Sequence, residues 1–584
     1  MTTSIKSTGI IKGALILGIA MFLSKIIGFL YRIPMTSILG DTGNAIYGVA
    51  FNIYVVLLGV SAIGIPGGIS KLVAECLAKG TMQDAKKVFR VALFYTGAVS
   101  GLLSLGLFVG AEFIAVQLNG MEELILPLRI LSPTIFIASL MAVVRGYFQG
   151  MNTMLPTAIS QVVEQLFNAL FSVVLATYFV QYGVAIAAAG STIGTGIGAL
   201  CGFIILILLY KKNDPTNQIP ITSTKPLFKS RREIIYKLLS IIIPMVITTS
   251  IFSIFSVIDA SMLSNKLPSA VDYLRASGLV ETIPVSGAAA LSTMEIATSL
   301  IGQYTTKYFT LINIPISLIL IVSVSAIPSI SKSYALGDRN GLTDKISQIL
   351  RIGLLLSIPA SFGLMIFAKP IMYFMFTTHP DGGELVMHGA LTIIFITTAQ
   401  LSSSILQGMG KQYVPTLFAI IALSVKFILN SILLCIPTLH IYSVIYSTLI
   451  AYMVFALLCV YYLKYKVGLN LHLGSLYLYP LLCSVIMSIL GLSSFYILNN
   501  LFNFPNINLI LSIALCILIY GLSGFLSGML KAEDLPHFGK KNLNYCLMFL
   551  QMIEYKYEMC IITPPGICVS DFWGIFIPKI QDEV

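Results

Sequence analysis

GIPGGISKLVAECLAKGTMQDAKKVFR, residues 64–90, interrupts two long apolar runs with five cations, Lys71, Lys79, Lys86, Lys87 and Arg90. The same pattern returns as AIPSISKSYALGDRNGLTDKISQILR at residues 326–351. Ser70 and Ser331, Lys71 and Lys332, Ala74 and Ala335, Gly80 and Gly341, and Arg90 and Arg351 share one offset, 261 residues. A second echo pairs QGMNTMLPT from Gln149 with QGMGKQYVPT from Gln407. Both copies put their lysine-rich loop on one side, so the repeats run parallel. That predicts two six-helix units about a pseudo-twofold axis along the membrane normal, with a central cavity between them.

Outward from these loops the chain is too apolar for water. Of its 584 residues 57% are hydrophobic and 10% charged, where a soluble chain carries about 25% charged residues. Mean hydropathy is +0.92. The runs are continuous over ~20 residues rather than alternating, which excludes a transmembrane β-barrel. They fall near 10–33, 45–70, 88–114, 126–148, 155–180, 183–210, 234–264, 298–331, 349–377, 385–408, 414–438, 441–463, 474–498 and 506–530. The fold class is therefore an all-α polytopic membrane protein with about 14 transmembrane helices, two of them beyond the repeats. We expect an N-terminal lobe at 1–210, a basic linker at 211–232, a C-terminal lobe at 233–468, two extra helices at 469–530, and a tail at 531–584 without an assigned role.

The net charge of +11 follows the loops and not a nucleic-acid surface. Lys and Arg collect in alternate loops, with Lys332, Arg339, Lys345, Lys411, Lys464 and Lys466 on the side of Lys71, and Asp41, Glu112, Glu122, Glu123, Asp381 and Glu384 opposite. By the positive-inside rule both termini lie in the cytoplasm. Nine scattered Cys and five dispersed His give no metal-ligand spacing. No phosphate loop, HExxH or GxSxG is present, so neither an enzyme, a cofactor nor an ATP-driven pump is indicated.

Ionisable groups inside apolar runs are costly there and so are site candidates. Lys25 lies ~20 Å deeper than Lys12 along a helix rising ~1.5 Å per residue. Gly18, Lys25 and Arg32 share one helix face; snorkelling to headgroups is the simpler reading for both cations. Ser160, Gln161, Glu164, Gln165 and Asn168 form a polar stripe that must face protein, for interhelical hydrogen bonding or for a cavity wall. Asn52, Asp259, Lys426 and Asn430 complete the polar and gating candidates, while Arg145 sits where headgroup contact would serve it. Glu164 and Asn168 match Lys426 and Asn430 at an offset of 262, which would pair Glu164 with Lys426 across the cavity; alignment on Pro156 and Pro415 gives 259 instead. Gly64, Pro66, Gly67 and Gly68 predict the end of the second helix, with Pro328 at the matching place.

SKIIGFLYRIP (24–34), AIGIPGGISKLVAE (62–75), RGYFQG (145–150), ISQVVEQ (159–165) and GQYTTKYFTLINIP (302–315) resemble, in that order, the stage V sporulation protein B and lipid II flippase branch of the multidrug/oligosaccharidyl-lipid/polysaccharide exporter superfamily. The resemblance spans about residues 5–535. It implies a MATE-like flippase of a bacterial cytoplasmic membrane. Such a protein turns an undecaprenyl-diphosphate-linked cell-wall precursor, lipid II first among them, from inner to outer leaflet by alternating access. Its partners would be the lipid-linked oligosaccharide, membrane lipids and a coupling ion, Na+ or H+. Lys25, Arg32, Lys307 and Arg145 would bind substrate, and 474–530 would hold the lipid tail. Lys25 and Tyr31 stand where the lipid II flippases carry Arg, Asp41 is the one stand-in for the family's Asp after the first helix, and Thr310 takes the place of an eighth-helix Arg, with Lys307 the nearest cation. Other readings are an exporter of a different lipid-linked polysaccharide, a cation-coupled drug antiporter with anionic walls, and a membrane glycan polymerase or ligase.

Overall fold

The structure, a computed structural model, describes residues 17–78, 82–212, 228, 230–469 and 471–527. Lys6, Lys12, most of the 211–232 linker and the 531–584 tail lie outside them. Among the described residues every regular element is helical. In chain order these are α1 (Leu17–Leu30), α2 (Arg32–Leu58), α3 (Ile65–Ala78), α4 (Met82–Glu112), α5 (Ile125–Gly150), α6 (Leu155–Phe179), α7 (Val184–Lys212), α8 (Arg231–Ala276), α9 (Thr293–Gly302), α10 (Phe309–Ala335), α11 (Arg339–Met375), α12 (Gly383–Gly389), α13 (Thr392–Gly408), α14 (Tyr413–Leu433), α15 (Tyr442–Tyr461), α16 (Leu473–Leu501) and α17 (Pro505–Leu526). Over its described residues each of the fourteen apolar runs falls largely on helix. Among the described residues ten helical stretches are long and apolar enough to cross a membrane, or eleven if α12 and α13, bent by 50°, count as one. Residues 1–520 form one compact unit and 521–584 a second, of which 521–527 are described.

Two expected helix boundaries move. The first run does not stop at Arg-Ile-Pro. Tyr31 N–H donates to the Ile27 carbonyl and Met35 N–H to the Tyr31 carbonyl, both at 3.2 Å, so helical bonding passes Pro34. The reversal comes at Gly40, φ 61° and ψ −175°, a left-handed backbone that glycine alone adopts without strain. The Asn44 amide then donates to the Thr36 and Gly40 carbonyls, at 3.1 and 2.6 Å, and satisfies two acceptors the broken helix leaves over. Nor do Gly64 and Gly68 end the second helix. It runs through a π-helical turn at Gly59–Ile63 into α3, and these glycines are where α8 crosses: a Cβ would meet Val246 at Gly64 and overlap the Ile242 side chain at Gly68. The near end of α8 therefore packs on the first half of the chain; its far end meets the second half at Asp259 and also bonds the Leu118 carbonyl of the first through Ser261 and Asn265.

The repeat is plain in the helix boundaries. Gly150 and Gly408 end α5 and α13; Leu155 and Tyr413 begin α6 and α14; Val184 and Tyr442 begin α7 and α15; each pair is 258 residues apart. This register differs from the expected 262 by about one helical turn. It makes Lys426 the counterpart of Asn168, not of Glu164.

Candidate functional site

Among the described residues three ion pairs hold charges of the candidate site, and two of its cations stay outside them. The first pair joins the two halves. Lys307 lies in a π-helical turn, Gln303–Tyr308, between α9 and α10; such turns inside helices recur at functional sites. Its ammonium meets Asp41 Oδ1 at 2.5 Å and donates to the His379 and Asp381 carbonyls at 2.7 and 3.1 Å. The Lys307 side chain is fully buried and that of Asp41 10% exposed. Asp41 Oδ2 accepts from Ser299 Oγ and Gln303 Nε2, and Thr306 Oγ1 donates to the Asn44 carbonyl. Asp41–Gln303 and Asn44–Thr306 are both 262 apart in sequence, within one residue of the repeat offset at Lys71 and Lys332. Residues can touch their own near-counterparts only beside the repeat axis, so the junction sits on it.

Local sequence builds this approach. Ser292 and Glu295 form a capping box that starts α9, and the Ser292 backbone N–H and hydroxyl hold the Glu295 carboxyl below its ordinary range. Ten residues on, Gly302 lets α9 reach the α2 backbone: a Cβ there would overlap the Asp41 carbonyl oxygen. Gly48 does the same for the Thr305 side chain.

The second pair stays within the first half. Arg145 Nη2 meets Glu164 Oε2 at 2.7 Å, and Arg145 Nε donates to Ser160 Oγ at 2.9 Å. The third stays within the second half. Lys426 meets Asp259 Oδ2 at 2.8 Å with both side chains buried; Tyr304 OH donates to the same oxygen at 2.6 Å and Asn430 Nδ2 to Oδ1 at 2.8 Å. The expected Glu164–Lys426 pairing is thus corrected. Each charge finds its counter-ion on a neighbouring helix of its own half, because the 258-residue register sets Lys426 level with Asn168. Asn168 accepts from Ser172 and Thr195.

Lys25 and Arg32 remain. Lys25 is exposed on α1 and forms no ion pair or hydrogen bond with a described residue. Two turns along, Arg32 Nη1 donates to Thr310 Oγ1 at 2.9 Å, across the halves, and lies 5.8 Å from the Phe51 ring. Thr310, where the resemblance lacked its eighth-helix Arg, is therefore touched by a first-helix Arg. Gln165 lies beside this face, its Oε1 3.4 Å from where a Cβ of Gly28 would stand. Asn52 keeps a buried, unbonded Nδ2. Sequence reasoning did not single out Ser299, Gln303, Tyr304, Thr306 or Thr448. The motif GQYTTKY contains three of them, yet period alone does not reveal a π-helical turn. Among the described residues no group of three or more His, Cys, Asp or Glu could hold a metal ion.

With this geometry in hand, known proteins can be set beside it. The profile of the family described as polysaccharide biosynthesis protein matches residues 10–334, and that of MatE residues 287–432. The lipid II flippase MurJ of Bacillus subtilis (strain 168) is 24% identical over 440 residues, 73% of this chain and 77% of that protein. Stage V sporulation protein B of the same organism is 32% identical over 151 residues, 26% of this chain and 29% of that one. Among solved structures, a lipid II flippase MurJ in an inward closed conformation superposes with TM-score 0.63 at 16% identity, covering 88% of this chain and 98% of that chain. An inward-facing multidrug resistance MATE family transporter gives 0.61 at 16%, covering 76% and 94%.

Proposed function

This chain belongs to the polysaccharide biosynthesis protein family, a multi-pass membrane branch of the transporter and flippase superfamily rather than a group of enzymes, and from that premise we propose that it flips an undecaprenyl-diphosphate-linked cell-wall precursor, lipid II, across a bacterial cytoplasmic membrane by alternating access. One observation carries the reading. Among the described site residues the carboxylates Asp41, Glu164 and Asp259 are each matched by a cation, which leaves Lys25 and Arg32 on one face without a counter-charge.

A lipid diphosphate must bring negative charge through a region where unpaired charge is very costly. Two unmatched cations facing a water-filled path between the lobes offer it a counter-charge. Lys25 acts as a point charge where Arg would grip bidentately. In this reading Lys307 and Arg145 serve the substrate only when their present pairs open, and Asn52, Gln165 and Asn168 line the wall. The lobes are 1–210 and 233–468, the tail groove 469–530, and both termini are cytoplasmic, which puts Asp41 at the outer end and Glu75 at the inner. A cation-coupled drug antiporter would want the opposite sign on this face.

Complementation of a strain depleted of its lipid II flippase tests the reading. Lys25→Ala should abolish growth with the protein still inserted, Lys25→Arg should keep most of it, and Lys25→Glu should be worst. Full complementation by Lys25→Glu would overturn the assignment.

A further inference from the structure

Flipping as described above makes no use of the Asp259 cluster. Four helical segments of the second half meet there. Asp259 comes from α8, Tyr304 from the π-helical turn, Lys426 and Asn430 from α14, and Ser447 and Thr448 from α15. Asp259 is 1% exposed, and a charge so buried is costly without a partner of opposite sign in contact. Both its oxygens are engaged, Oδ1 by Asn430, Oδ2 by Tyr304 and Lys426.

The surroundings of the ammonium are what matter. Besides Asp259 Oδ2 it touches Thr448 Oγ1. Thr448 donates its own proton to the Val444 carbonyl, so toward Lys426 it can only accept. Ser447 Oγ lies within hydrogen-bond reach of Asn430 Oδ1 and of the Val444 carbonyl, and its single proton serves one of them at a time. The face of Phe255 lies 5.3 Å from Nζ, a further favourable contact for a cation. A carboxylate and a hydroxyl oxygen beside one positive centre are donors of the kind that hard cations take. Here the positive centre is covalently attached.

We propose that the Lys426 ammonium is the tethered occupant of a monovalent-cation site, filling the place beside Asp259 that a free alkali cation or a proton would otherwise take. The second half then carries its counter-cation with it and draws none from solution. The ammonium also neutralises the carboxylate that anchors Tyr304, three residues before Lys307 on the same turn, so the tethered charge holds the cross-half junction in register.

The inference extends the flippase reading, but its test needs no substrate, so either can fail without the other. Thermal unfolding of the purified full chain in detergent is followed as Na+ or K+ replaces N-methyl-D-glucamine at constant ionic strength, and as pH is lowered. The unsubstituted protein should show no saturable response to Na+ or K+. Lys426→Ala should unfold at lower temperature and regain at least ~3 °C, saturably, with an alkali cation. A gain only on acidification identifies a proton as the displaced occupant and equally supports the proposal. Adding Asp259→Asn to Lys426→Ala should remove either response. Saturable stabilisation of the unsubstituted protein by Na+ or K+ that Asp259→Asn abolishes would overturn the proposal, as would a Lys426→Ala protein that answers to neither cation nor pH. If Lys426→Ala cannot be purified, the unsubstituted protein decides: insensitivity to both cations supports the tethered occupant, and an Asp259-dependent response overturns it.

Discussion

Asp41–Lys307 and Glu75–Lys237 both join the halves of this protein, and both set a carboxylate of the first half against a lysine of the second. Asp41–Lys307 is 2.5 Å long with its lysine fully buried. Glu75–Lys237 is 3.2 Å long with side chains 30% and 43% exposed. The chemistry is shared, but the surroundings are not. A buried pair broken at one member leaves a charge that nothing solvates, at a cost of about 3–5 kcal/mol. An exposed pair is screened and worth about 0–1 kcal/mol. Asp41 also has Ser299 and Gln303 as donors, and Lys307 has two carbonyls as acceptors. The Asp41 end is thus a directional lock, and the Glu75 end a contact that water can replace.

The largest effect should come from Lys307→Ala. It strands Asp41, and the Asp41 end should open by about 3–5 kcal/mol relative to its closed form. Maleimide labelling of a Thr305→Cys reporter, whose position faces Gly48, should then rise at least ~100-fold. Unchanged labelling would make the two pairs equivalent and end the comparison. Gly302→Ala sharpens it from the steric side, because the added methyl meets backbone that cannot yield as a side chain would. About 1–3 kcal/mol of overpacking is expected, read with the same reporter and with both ion-pair partners intact. The smallest effect belongs to Glu75→Gln. Less than ~1 kcal/mol is expected, and that difference should vanish at about 1 M salt, where the Debye length falls to about 3 Å. A salt-resistant loss as large as that of Lys307→Ala would show that the Glu75 end is locked too.

Much of this was legible in the sequence, for reasons tied to particular residues. Lysine-rich loops and long apolar runs reveal helices and a repeat because lipid enforces both. The cost of burying Lys25, Glu164, Asp259 and Lys426 marked each as paired or functional. Which residue pairs with which was not legible. Glu164 and Lys426 look matched at 262, yet the helix boundaries keep 258, and a slip of one turn carries a side chain ~5.4 Å along the axis. Asp41 was legible as an acid beyond the first helix, but its partner was not, because nothing in GDTGNAIY shows that a glycine 261 residues further on, Gly302, leaves its carbonyl room.

α8 sets the mechanical terms of any rocking motion. Its 46 residues make a rod about 69 Å long at ~1.5 Å per residue. Near one end Lys237 and Ile242 seat it on the first half; further along Asp259 ties it to α14. A rod clamped to two bodies cannot stay straight while they tilt apart, so the tilt becomes curvature in the span between the clamps. Pro244 stands near the start of that span, where the missing N–H weakens the helical ladder. The joint between the halves would then work as a leaf spring rather than a free pivot, softest where one backbone N–H is missing. Pro244→Ala would restore the missing N–H and stiffen the span.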